Sequence, residues 1–464
     1  MSFANSIKAF LMGVKNMFTK SEMDKVVGGE VSITTSMAEK IELWRNMYVG
    51  SAPWLSEKMG IISLGLEGSI AREFADVTLN EMTSSTGNKR LDEIYKAAIR
   101  DLNENLQEGI ALGAFCIKPL GGSTVEYVAQ GDFLPIAYDA RGRLIDVIFV
   151  ELRRKGDRDY YRRLERHTVS DAGLVITNKA YKSNTETEIG REIGLDIFED
   201  WAKLAPSILY ADQTKPDFGY YKNPLKNRID KSHNGVSIYE SAVKLIERAD
   251  RQFGRLDWEY ESAERAIIAD VDAIPKEANT ANYKHRPKER LVKILDGGDG
   301  SETTPYHEFS PELRGDGFIG GLDEYLRRIE KNVGLAYGDL SKEVTIVKTA
   351  TEITAAKQTK YNRVIAIEDN LKDCLSDLVD ALAFYNELTT AGYEFSCEFS
   401  DSILTDDEAN KTSDRADVAM GAMNLWEYRM RQYGEDEETA KANVPQSADV
   451  MLDSFSPKPA PFGG

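Results

Sequence analysis

Apolar residues recur along this chain at two different periods, and the changes of period divide it. Near the N-terminus Met37, Ile41, Trp44 and Tyr48 follow at helical spacing behind Ser36 and Glu39, which have the pattern of a capping box. Leu66, Ile70, Phe74 and Val77 predict a second amphipathic helix. A third is predicted on one continuous spacing by Leu91, Tyr95, Ala98, Leu102 and Leu106. From residue 114 the period shortens. Runs at 114–118, 124–129, 145–151, 160–166 and 174–177 predict strands, with turns at Gly121-Gly122, Asp139 to Gly142 and Asp171 to Gly173. Together these describe an α+β region that closes near Gly235.

After residue 236 the helical period returns. Ile238, Ala242, Leu245, Ala249, Phe253, Leu256 and Tyr260 form one stripe. A strand-like, loop-rich stretch follows to Leu313, and then a helix with Phe318, Leu322, Tyr325, Ile329 and Val333 on one side. A short loop leads into a long helix with Val364, Ile367, Leu371, Leu375, Leu378, Leu382 and Tyr385 in its stripe. Three short helices with acidic flanks are predicted near 407–420, 424–432 and 435–443, and the Pro/Gly-rich residues 451–464 are expected to be disordered.

Composition narrows the class. Of 464 residues, 42% are hydrophobic and 29% charged, which suits a globular chain, and no run reaches the roughly 20 apolar residues of a membrane span. The short apolar stretch from Ala9 to Val14 lacks a basic lead-in and reads as an amphipathic helix, not a leader peptide. Cys116, Cys374 and Cys397 are far apart and share no metal-ligand spacing with the four histidines, so neither zinc nor a disulfide framework is expected. The formal net charge of −19 argues against a module that grips nucleic acid by its phosphates. It is compatible with a surface past which DNA slides.

Catalytic signatures are missing: no phosphate-binding Gly-x4-Gly-Lys-Ser/Thr, no dinucleotide fingerprint, no His-Glu-x-x-His and no Gly-x-Ser-x-Gly. His167, His233, His285 and His307 lie in polar sequence and are expected at the surface. Three groups stand out. Asp369, Asp373, Asp377 and Asp380 fall on one face of the long helix, opposite its apolar stripe; they are either a solvated face or an acidic wall facing a channel or a subunit seam. Lys284, Arg286, Lys288 and Arg290 form a basic cluster, either a solvated turn or a docking patch for an acidic partner. The loop between the last two long helices carries Asp339, Lys342, Glu343 and Lys348.

Several local sequences resemble the portal proteins of long-tailed double-stranded-DNA bacteriophages. Trp44 to Gly50 with Trp54 is similar to that family's early Trp-x3-Tyr helix. Asp132 to Gly142 resembles its strand-turn-strand, followed by Glu165-Arg166-His167 and Asn178 to Tyr181. Gly235 to Tyr239 resembles the start of its first stem helix, and Lys348 to Glu352 the start of the helix after its tunnel loop.

The resemblance implies an α+β subunit with a wing at 1–236, stem helices at 237–262 and 315–334, and a small β-containing clip at 263–314. It further implies a tunnel loop at 335–347, a long wing helix at 348–395 and a short helical crown at 396–450. About twelve copies would form a non-enzymatic ring at one vertex of the virion capsid, through which DNA is packaged and ejected. The chain would be made in the host bacterial cytoplasm and need no cofactor. Its partners would be the terminase large subunit, a head–tail adaptor and the major capsid and scaffolding proteins, with no membrane. The residues alone leave open another head–tail adaptor or minor head protein, or a cytoplasmic hydrolase using paired carboxylates.

Overall fold

Thr34, not Ser36, caps the first helix of the computed structural model. Its extended backbone and side-chain oxygen, 3.3 Å from the amide of Met37, start α1 at Thr35–Tyr48. The structure describes residues 32–156, 158–185, 188–263, 266–270, 292–295, 306–309, 312–342, 350–390, 392–399 and 407–444. Residues up to Phe399 form one compact unit and those from Ser400 a second. The class is α+β.

In the first unit, α2 (Leu66–Leu79) precedes strand β1 (Met82–Ser85). The helix expected across 91–106 is two: α3 (Lys89–Ala98) and α4 (Leu102–Leu112), parted by a turn at Ile99–Asp101. Leu91, Tyr95, Leu102 and Leu106 are nevertheless all buried. The spacing reports the buried face correctly but cannot report a break that preserves it.

Strands β2 (Ala114–Gly121) and β3 (Thr124–Ala129) form a hairpin. β4 (Phe133–Tyr138), β5 (Leu144–Lys155), β6 (Asp159–Ser170) and β7 (Gly173–Ser183) form an antiparallel meander, with β8 (Arg191–Ile193) and β9 (Ser207–Tyr210) sharing its far edge. β10 (Gly219–Lys222) returns to pair with β2. Phe133, Val147, Phe149 and Phe218 pack between these sheets.

Helices α5 (Val243–Ser262) and α6 (Gly315–Val333) pack on one another as a pair. Between them in sequence, β11 (Ala266–Asp270), β12 (Val292–Leu295) and β13 (Tyr306–Phe309) form a sheet in the order β12-β11-β13, with β12 parallel and β13 antiparallel to β11. The long helix α7 (Ala350–Tyr385) lies on β10 and β2 and buries Val364, Ile367, Leu371, Leu375, Leu378 and Leu382. Its approach is so close that a Cβ on Gly219 would lie 2.6 Å from the carbonyl oxygen of Cys374, so only glycine fits there.

β14 (Ser396–Phe399) pairs with β1, at the opposite end of the unit's sequence. The first unit runs through this strand and ends at Phe399. The second unit holds α8 (Asp407–Ala419), α9 (Leu425–Tyr433) and α10 (Glu437–Ala442), close to the three short helices read from the sequence. Asn424 and Glu427 form a full capping box at the start of α9. Asp414 is buried and accepts from Arg431 and Gln432.

Candidate functional site

The α5–α6 pair is anchored at both ends and left partly open between. Near its base Asp250 is buried in α5 and accepts from the Trp54 indole at 2.8 Å and the Leu64 amide at 2.9 Å. Gly254 lets the α5 backbone run against the Gly60–Ile61 turn, where a Cβ would lie 2.4 Å from the Gly60 oxygen. At the far end Arg314 forks onto Glu259 at 3.1 and 2.6 Å. Along the pair the predicted stripes are unevenly covered. Ala249, Leu256, Ile329 and Val333 are buried, but Leu245, Phe253, Phe318, Leu322 and Tyr325 are only half-buried. Trp258 is 66% exposed, Tyr260 46% and Ile319 44%.

The loop after α6 is built on one glutamate. Glu330 is 1% exposed, and its carboxylate accepts from the amides of Gly338 (3.2 Å), Leu340 (2.6 Å) and Ser341 (2.7 Å) and from the Ser341 hydroxyl (3.0 Å). Such a ring of backbone donors fixes the loop's path. Asp339 accepts from the Ala336 amide and pairs with Lys360 at 3.0 Å, so it serves the loop's own fold. Lys342 is exposed, with its amide on Asp323. Glu343 and Lys348 lie outside the described residues, as do Lys284, Arg286, Lys288 and Arg290.

The acidic face of α7 divides in two. Asp369 and Asp373 are exposed, and no ion pair engages either among the described residues. Asp377 and Asp380 turn inward: Asp377 pairs with Arg143 at 3.1 Å, and Asp380 pairs with Lys215 and accepts from the Tyr393 hydroxyl at 2.6 Å. Burial raises the Asp377 carboxyl to about 6, with Arg143 opposing and Asp380 and Asp373 adding to the rise.

Beside the base of the helix pair lies a groove of about 1100 Å³. Lys226, Arg228, Arg327, Arg328, Lys331 and Arg363 line it, together with Leu225, Ile229, Val236 and Leu245. Arg327 and Arg328 pair with Asp323 and Glu324. Two carboxylates also line it: Glu324 is held by Arg328, and Glu240 is occupied by Lys40 and the Trp44 indole. No carboxylate pairs with Lys226, Arg228, Lys331 or Arg363 among the described residues. Its cations come from three separated segments, so no local sequence signal marks the groove.

His167 is buried, against the surface position expected for it. Its sequence neighbours are polar, but on a strand residues two apart share a face, and one of them, Glu165, is its partner there. Nδ1 contacts Asp217 at 2.8 Å and Nε2 contacts Glu165 at 3.0 Å, while Tyr385 donates to Asp217. Lys118, 4% exposed, also pairs with Glu165. A histidine with both ring nitrogens engaged by carboxylates and no path to solvent is not arranged to take a proton from a substrate. His233 is exposed; the side chains of His285 and His307 lie outside the described residues.

Among the described residues no cluster of histidine, cysteine or carboxylates could hold a metal ion, and no helix is long and apolar enough to cross a membrane. Compared with models of known protein families and with curated proteins, the sequence matches none.

Proposed function

We propose that the chain is a non-catalytic ring subunit of the portal type, whose closed assembly of about twelve copies surrounds a channel for double-stranded DNA at a capsid vertex. The observation that carries this reading is the α5–α6 pair. Its two stripes exceed what one subunit covers, and Trp258, Tyr260 and Ile319 face solvent along it. Large exposed aromatic and aliphatic side chains on one element mark a surface for association. The three-stranded sheet between the two helices would form the clip, which meets the terminase during packaging and a head–tail adaptor afterwards. The loop that leaves α6 through the Glu330 anchor would approach the DNA, with Lys342 exposed on it.

The charge balance supports the same reading. With 77 acidic and 58 basic residues, the assembly would repel phosphates over most of its surface. Contacts at lysines such as Lys342 would be shallow and salt-screened, as fast sliding requires.

Electron microscopy and native mass of the purified full chain test the proposal. Closed rings of about twelve subunits with an axial pore are the expected result. Monomers at every concentration and salt, or assemblies without a pore, would overturn it.

A further inference from the structure

The basic groove at the base of the α5–α6 pair lies outside the channel reading. Four cations, Lys226, Arg228, Lys331 and Arg363, face it without a carboxylate partner among the described residues. Arg363 is half-buried, and burial lowers its pKa because nothing nearby compensates the charge. A desolvated, uncompensated guanidinium is costly and calls for an anion. In a chain of net charge −19, so local a concentration of free positive charge is a recognition feature rather than a solubility device.

The lining indicates what kind of anion. Leu225, Ile229, Val236 and Leu245 alternate with the cations, and a second hollow continues along the helices past Arg248, Gln252 and Tyr325. A phosphodiester backbone would leave that apolar surface uncovered, whereas a protein surface bearing carboxylates would bury it and neutralise the arginines together. The chain carries such a surface. Asp369 and Asp373 are exposed on α7 and free of ion pairs among the described residues.

We propose that the groove of one subunit receives the Asp369–Asp373 face of a second copy, as a head-to-tail contact that rests on the ring reading above and names its electrostatic seam. Arg363 and these aspartates share one helix, but at 100° per residue they project roughly 80–120° apart around its axis. Two different, complementary patches on one chain make a heterologous contact, which propagates around a ring instead of closing a dimer.

The test exploits that polarity in the full chain. One variant reverses the groove (K226E/R228E/K331E) and another reverses the face (D369K/D373K), with folding of each checked by circular dichroism. All five substituted side chains are exposed, so the fold should tolerate the changes. Each variant alone presents like charges across the seam, and its half-assembly concentration should rise roughly tenfold or more at low salt. Mixed in equal amounts, the two variants match each other at every contact, and native mass should show assemblies in which they alternate. Wild-type rings with equally stable rings from either variant would sink the seam and leave the ring reading standing. Wild-type filaments or pore-less oligomers that still obey the mixing rule would sink the ring reading and leave the seam. Rings from the groove variant that have lost only the ability to bind a duplex DNA oligonucleotide would make the groove a nucleic-acid site and overturn the proposal. A wild-type chain that stays monomeric would overturn both.

Discussion

Asp217 accepts a 2.8 Å hydrogen bond from Nδ1 of His167, and neither side chain reaches solvent. The pair joins the meander sheet to α7, because the Tyr385 hydroxyl donates to the same carboxylate. Burial works against the imidazolium, but Asp217, by charge and hydrogen bond, and then Glu165 outweigh it and raise His167 to about 9. Glu165 is held well below the usual carboxylate range: burial alone would raise it, and His167, Lys118 and Arg163 reverse that.

The histidine therefore stabilises the fold through its charge. Its contribution is fully present below the unfolded value near 6.5 and is lost as pH rises through about 9. Glu165 contributes in the opposite direction, above the ordinary carboxylate range, and loses its contribution in acid. Urea midpoints measured across this range should fall between pH 7 and 9.5 in the wild type. D217N should lower the midpoint at pH 7 by an amount equivalent to about 3 kcal/mol, because it removes one partner of a buried charge pair. A flat pH profile in the wild type would show that His167 is neutral when folded.

The opposite sign applies to a carboxyl at the start of α2. Glu67 is 2% exposed, and burial raises it to about 7, with its own backbone hydrogen bond opposing and Asp250 adding to the rise. The folded state thus prefers the protonated acid. That preference supports the fold fully below pH 4.5 and is lost as pH rises through about 7. E67Q should match the wild type near pH 4.5 and exceed it by about 2–3 kcal/mol at pH 8. Denaturant unfolding of both proteins at the two pH values checks this, and equal stability at pH 8 would place Glu67 in a solvated setting.

Much of this architecture is legible in the periodicity. Three strands of the meander (β5, β6 and β7), the α5 and α6 stripes and the three C-terminal helices follow from spacing, since burial of one face is what spacing encodes. Pairing over long distances is not. Ser396–Phe399 joins Met82–Ser85 through backbone hydrogen bonds that carry no side-chain signature. Charge partners are equally hidden: the α7 spacing locates Asp377 and Asp380 on one face, but Arg143 and Lys215 reach them from distant loops. A usable signal did exist at Asp250 and Glu330. Asp250 follows Ile246 by one turn, and Glu330 precedes Val333 by three positions, so both carboxylates border buried stripes. An acid in such a position needs partners that satisfy it.

Glu330 supplies the last prediction. Its carboxylate organises three amides and one hydroxyl of the loop after α6, within a buried site. E330A leaves those four donors without their acceptor, and each buried unsatisfied donor costs about 1–3 kcal/mol before relaxation. E330Q keeps the shape and one carbonyl acceptor, but it loses the charge and turns an NH2 group toward amides that can only donate. Both variants should keep α6 itself, because Ile329 and Val333 still hold it by packing. Hydrogen exchange at Gly338, Leu340 and Ser341 reads the effect: roughly tenfold faster in E330Q and faster again in E330A, with the amides of α5 unchanged. If the loop also guides DNA, E330Q should assemble rings normally and package shorter genomes. Unaltered exchange at these amides in E330A would mean that the loop is held by Asp339 and Lys360 alone, and the anchoring role of Glu330 would fall.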